Sequence, residues 1–172
     1  MKIVVLTKQI VIASIFLMFA SWKVAFPLNQ TPGSAANIRK TVDSLYKAFS
    51  FKAGYQPQWA IIKTLSLPGA TFVAAPAPGV KRTGVNVEQF IADYKAYIIS
   101  SPIKKTGYQE NIISATITRT ENVANVTVVF KAIVPHEASK RKPGMDNIQL
   151  LLDHGSWKIV AFTTQAESEL EK

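Results

Sequence analysis

The sequence predicts one α+β domain, with helices in its first half and an antiparallel sheet in its second. Three observations carry this. Apolar residues recur at helical spacing in three stretches before Pro102. From Tyr108 onward the period changes from 3.6 to 2. Two short turns, Glu121-Asn122 and His154-Gly155, then set strand registers that sort apolar residues onto one face without further assumption.

The elements run in order along the chain. Thr31-Pro32-Gly33-Ser34 reads as a linker ending in an N-cap, because a serine oxygen accepts from the free N–H groups of a first helical turn. The helix behind it places Ile38, Val42, Leu45 and Phe49 on one stripe, and Gly54 and Pro57 close it. A short second helix is expected over Gln58–Leu65, with Trp59, Ile62 and Leu65 inward. Pro68-Gly69 should turn the chain into a strand over Thr71–Ala75, and Pro76–Gly84 should be loop. Asn86 caps a third helix, Gln89 stands at the capping-box position, and the stripe is Val87, Phe90, Ile91, Tyr94 and Ile98.

In the first hairpin, Thr120 facing Val123 sets Ile113, Ala115 and Ile117 against Phe130, Val128 and Val126, a dry face. The other face carries Ser114, Thr116 and Thr118 against Val129, Thr127 and Asn125. In "DNIQLLLDHGSWKIV", glycine suits the turn position that needs positive φ. Leu152 then faces Trp157, Leu150 faces Ile159 and Ile148 faces Ala161. Trp157 reads as a core anchor whose indole N–H wants a partner.

At 172 residues, 48% apolar and 18% charged, the chain suits one globular domain plus a short appendage. It has no cysteine, which excludes disulfides, thiolate metal sites and lipidation on cysteine. Lys2 and Lys8 precede the apolar run Ile10–Ala20, an order and length that fit a secretory signal. A membrane span needs about 20 apolar residues, and Lys23 interrupts the run first. Residues 1–30 are therefore expected to be signal peptide and linker and residues 31–172 the domain, exported to the periplasm or beyond. An uncleaved anchor over residues 10–28 is the alternative. Without Lys2, Lys8 and Lys23 the remainder keeps 17 basic against 11 acidic residues. The rest of its basic charge is scattered over expected loops such as Lys104-Lys105 and Lys140-Arg141-Lys142, without the interleaved aromatics of a nucleic-acid surface. No nucleic-acid partner is expected, and membrane contact only through the N-terminal segment.

No phosphate loop, nucleophile elbow or metal-ligand spacing is present, and no cofactor or metal is expected. His154 sits in a tight turn. Asn29-Gln30-Thr31 and Asn125-Val126-Thr127 are formal glycosylation sequons. One constellation remains. Continuing the second hairpin's register puts Asp146 opposite Thr163 on the apolar face, with Gln165 next along it, and antiparallel topology brings Asn111 and His136 to the same sheet end. Tyr46 and Tyr94 reach in from helices. A carboxylate in such surroundings has a raised pKa and suits general acid–base work. Asp146 and His136 are the catalytic candidates; Tyr46, Tyr94, Asn111, Trp157, Thr163 and Gln165 are the ligand-binding candidates.

Helices succeeded by an antiparallel meander ending in "GMDNIQLLLDHGSWKIVAFTTQAES" (144–168) resemble the nuclear transport factor 2-like superfamily, and within it the SnoaL-like, polyketide-cyclase-type branch. The resemblance covers roughly residues 35–168. It implies a curved sheet wrapped as a cone around the helices, a small-molecule pocket at the open end, and a homodimer through the outer sheet face. The ketosteroid isomerases of this superfamily place an aspartate base before a proline after the second helix. Here Ala75 precedes Pro76, so that base is absent, while Tyr46 falls near the position of the isomerase oxyanion-hole tyrosine. The expected function is an exported domain that binds a small apolar molecule. Two alternatives stand beside it: an isomerase, cyclase or dehydratase working through Asp146, and a protein-interaction module using the sheet face around Thr116, Thr127 and Val129.

Overall fold

A computed structural model describes residues 33–74, 81, 83–135 and 143–165. The expected leader, the loop holding His136 and the Ala75-Pro76 pair lie outside the described residues. Among those described, no helix is long and apolar enough to cross a membrane.

The chain runs α1 (Ala35–Phe49), β1 (Phe51–Lys52), α2 (Trp59–Leu65), β2 (Ser66–Val73), β3 (Val85–Asn86), α3 (Val87–Ser100), α4 (Ile103–Thr106), β4 (Gly107–Thr120), β5 (Val123–Ile133), β6 (Gly144–Asp153) and β7 (Ser156–Gln165). The strands form one open sheet in the order β1-β4-β5-β6-β7-β2-β3. It is mixed rather than wholly antiparallel, because β2 lies parallel to β7. The expected turn at Pro68-Gly69 is instead part of β2. Pairing with β7 jumps there from Ser66–Ile159 to Thr71–Ala161, an irregularity suited to a residue with no N–H to give the ladder.

Local chemistry sets the helix starts. Ser34 Oγ accepts from the N–H of Asn37 at 3.3 Å, and Asn86 Oδ1 from that of Gln89 at 2.8 Å. Each such cap contributes about 1 kcal/mol. The reciprocal half of the expected capping box is absent, since the Gln89 side chain donates forward to Asp93 Oδ1 at 2.7 Å. The His154-Gly155 turn forms as expected, with φ of 44° and 77°.

Both hairpin registers hold near their turns and then slip. Thr120 pairs with Val123 and Ala115 with Val128, but beyond a bulge Phe130 meets Ile112. Ile113, expected inward, is 57% exposed. In the second hairpin Leu152 faces Trp157 and Leu150 faces Ile159, but Val160 is extra. Ile148 therefore faces Phe162 rather than Ala161, and Asp146 faces Thr164 rather than Thr163. Each bulge shifts every later residue to the opposite face of its strand.

The inner face packs against the helices through Ile38, Val42 and Leu45 of α1, Ile62 of α2 and the strand residues Val126, Val128, Ile148, Leu150 and Ile159, all nearly inaccessible. Phe72, Phe90, Phe49 and Phe162 form an aromatic knot, with the Phe72 and Phe90 rings stacked at 4.7 Å. A satellite core of Phe51, Ile98, Ile103 and Val134 closes the end where β4 begins.

Candidate functional site

One polar cluster lies inside this apolar envelope. The stripe of α1 that buries Val42 and Leu45 also buries Tyr46, which is 2% exposed. Its hydroxyl donates to Oδ2 of Asp146 on β6, itself 2% exposed. Thr164, opposite Asp146 on β7, adds a side-chain hydrogen bond to the same carboxylate. On β4 the inward residues are Tyr108, Glu110 and Ile112. Tyr108 donates to Glu110 Oε1 at 2.7 Å, and the Glu110 N–H is held by Ser50 Oγ at 3.1 Å, just past the end of α1. Asp146 Oδ1 and Glu110 Oε2 are buried and accept no hydrogen bond among the described residues.

Burial and charge set the two carboxyls apart. Burial, and then the charge of Asp146, push Glu110 up to about 8, against the opposing bond from Tyr108. Burial lifts Asp146 to about 6, while the bonds from Thr164 and Tyr46 pull it back. Near neutral pH Asp146 is therefore ionised and Glu110 holds a proton. Burial and the nearby carboxylates also raise Tyr46, Tyr94 and Tyr108, which stay protonated. Tyr94 is joined to the site by its interaction with Glu110 and packs its ring against Phe49 and Trp59.

Three of the residues named from sequence thus meet: Asp146, Tyr46 and Tyr94. Thr163 and Gln165 do not face Asp146, because the extra Val160 sends them to the opposite face, where they pair with Asn147 and Met145. Asn111 is exposed and accepts from the Gln109 side chain at 2.9 Å, because the β4 bulge turns it outward. Trp157 is a buried core residue opposite Leu152. That position is six residues along β6 from Asp146, roughly 20 Å at strand rise. His136 lies outside the described residues. Glu110, Tyr108 and Thr164 were missed. The doublet Ile112-Ile113 and the run Ile159–Phe162, apolar without alternation, were the signals that two-residue periodicity breaks there.

An open groove of about 540 Å³ lies elsewhere, between Tyr55 and Gln56, Ile98 and Ile99, and Lys104 and Lys105, and shares no residue with the cluster. Among the described residues no group of three acidic or histidine side chains could hold a metal ion.

An open mixed sheet covered by N-terminal helices, with a polar cluster between the layers, defines an α+β class in which site residues come from helix and strand alike. Solved structures name the fold. The chain is similar to a nuclear transport factor 2-like protein of unknown function from Silicibacter pomeroyi, at 18% identity over 76% of this chain and 93% of that one, with a TM-score of 0.53. It is similar to another from Pseudomonas putida, at 8% identity over 76% and 84%, with a TM-score of 0.61. A candidate dehydratase of the same family from Streptomyces avermitilis matches at 11% identity over 76% and 94%, with a TM-score of 0.58. No family model matches the sequence, and no curated protein does. The chain has the nuclear transport factor 2-like fold.

Proposed function

We propose that the chain binds a small organic molecule at the Glu110–Asp146 cluster. One observation carries this reading: each buried carboxyl keeps one oxygen that accepts no hydrogen bond among the described residues. Leaving such an atom buried and unmatched costs about 1–3 kcal/mol, more for a charged group, so a bound partner is the economical explanation. The test is a thermal-shift and calorimetric screen of small polar-headed organic molecules against wild type, Asp146→Asn and Glu110→Gln. Ligands that bind wild type and lose affinity in both variants support it; ligands indifferent to both substitutions sink it.

A second reading is proton-transfer catalysis, favoured by the two carboxyl pKa values falling on either side of neutrality. Asp146 Oδ1 would take a proton from carbon while Glu110 Oε2 protonates a departing hydroxyl, giving an alkene and water. Isomerisation or cyclisation uses the same pair without loss of water. The chemistry named for the Streptomyces relative fits this. A SnoaL-like assignment belongs to the same reading. Turnover would trace a bell in pH with limbs near the two values and vanish in Asp146→Asn.

Export is proposed on the charged-then-apolar leader alone, and intact-mass measurement of exported protein tests it. Homodimerisation through the outer sheet face, or docking of another protein there, meets a polar surface on which Thr127 donates to Asn147 at 3.1 Å. Sedimentation equilibrium decides the dimer.

A further inference from the structure

With both carboxyls ionised, the cluster's remaining hydrogen-bond capacity is one-sided. A tyrosine has a single O–H to give. That of Tyr46 goes to Asp146 Oδ2 and that of Tyr108 to Glu110 Oε1. The Glu110 N–H is taken by Ser50. What remains is Asp146 Oδ1, Glu110 Oε2 and the lone pairs of two phenol oxygens, all of them acceptors once both carboxyls are ionised. Among the described residues, no lysine, arginine or histidine figures among the charges acting on either carboxyl. This holds in a chain whose net charge is +9. Around the acceptors lie rings: Tyr46 packs on Phe130 at 5.9 Å, and Tyr94 on Phe49 at 6.2 Å.

We infer that the ligand of this site is an organic amine bound as its ammonium ion, with Asp146 Oδ1 and Glu110 Oε2 accepting its N–H groups and the rings of Phe130, Tyr46 and Tyr94 covering its hydrocarbon part. This deepens the small-molecule reading and rests on it. An ammonium ion supplies several donors and the missing positive charge together, and aromatic faces attract it. An alcohol supplies one donor and no charge. A carboxylate or phosphate is repelled.

Binding of an amine carries a proton balance. Without ligand, the pair holds one proton at neutral pH, on Glu110. The groups facing it are Tyr46 from α1, Tyr94 from α3, Tyr108 from β4 and Asp146 from β6, with the non-ionising hydroxyl of Thr164 from β7. The ammonium ion replaces that proton: the protonated Glu110 and R–NH3⁺ give an ion pair and one H⁺ released to solvent.

Calorimetry of the full chain at pH 7 with butylamine and benzylamine, each against its alcohol and its carboxylate analogue, tests this. Titrations in phosphate and in Tris separate proton release from binding heat. An amine should bind at least about tenfold more tightly than its alcohol and release about one proton per site. Glu110→Gln, which is isosteric, should abolish the release and weaken the amine. Alcohols binding as well as amines, amine binding without proton release, or neither amine binding at millimolar concentration overturns the inference. If the alcohols bind and Asp146→Asn removes them, the small-molecule reading survives the loss of the amine. If nothing that binds responds to either substitution, both fail.

Discussion

Tyr46 on α1 donates its hydroxyl proton to Asp146 on β6, a residue one hundred positions further along the chain. The bond ties the first helix to the sheet's interior and holds the carboxylate in its ionised form. Tyr46→Phe keeps the ring against Phe130 and deletes the donor. Hydrogen bonds to charged groups contribute about 1.5–3 kcal/mol, and a loss of that order is expected at pH 8. The Asp146 pKa should climb above about 6, because one of the two bonds that lower it is gone. Urea unfolding and carboxyl-carbon NMR titration read the two effects; an unmoved titration would refute the coupling.

Stability should fall as pH rises from about 5 to about 8. Glu110 carries a folded pKa of about 8 against a reference of 4.5, and Asp146 about 6 against 3.8. Groups raised in this way bind more protons folded than unfolded across that window. Their contribution is whole below the unfolded values and disappears as pH passes through the folded ones. Each pKa unit is worth about 1.4 kcal/mol, so the expected decline is a few kcal/mol. Glu110→Gln should flatten most of it and be the more stable protein at pH 8.5. Parallel slopes for wild type and variant in urea melts would contradict the assignment.

Gly144→Ala should damage the site without touching it. Gly144 pairs with Phe130, and a Cβ there would come within 2.5 Å of that ring. The ring must swing away, and its neighbour on the inner face is Tyr46. Crowding of this kind costs about 1–3 kcal/mol. The Asp146 titration should shift together with the urea midpoint, whereas a midpoint shift alone would mean the ring escapes elsewhere.

Trp157→Phe should leave ligand binding intact. Trp157 Nε1 is buried with no acceptor among the described residues, so phenylalanine removes an unmatched donor while giving up ring volume. The two effects oppose, and a net change within about 1 kcal/mol is expected. Any large loss of affinity at the Glu110–Asp146 cluster would mean that the cluster reaches along β7 as far as Trp157.

The turns and stripes were legible because each is decided within a few residues. His154-Gly155 fixes its own geometry, Ser34 and Asn86 each cap the helix behind them, and the α1 stripe announces Tyr46 by position. Lost alternation at Ile112-Ile113 and Ile159–Phe162 marks where a bulge can sit but not which residue it displaces, because Ile113 and Val160 are acceptable on either face and their cost is settled by packing across strands. Two slips of one residue account for the changed placements. They turned Asn111, Thr163 and Gln165 outward and brought Glu110, Tyr108 and Thr164 in. Asp146 survived because Ile148 and Leu150, beside it on β6, alternate cleanly. The parallel seat of β2 had no local signature, since nothing in Ser66–Val73 names β7 as its partner.

That seat governs assembly. β2 is hydrogen-bonded on one side to β7, and on the other, among the described residues, only to the two-residue β3. On a ribosome, β2 must wait for the strand that starts at Ser156 before it gains its main neighbour. Such distant closure slows folding, and it leaves the nascent chain's aromatic knot incomplete until Phe162 of β7 has emerged. A truncation that removes β7 should yield not a smaller domain but a chaperone substrate.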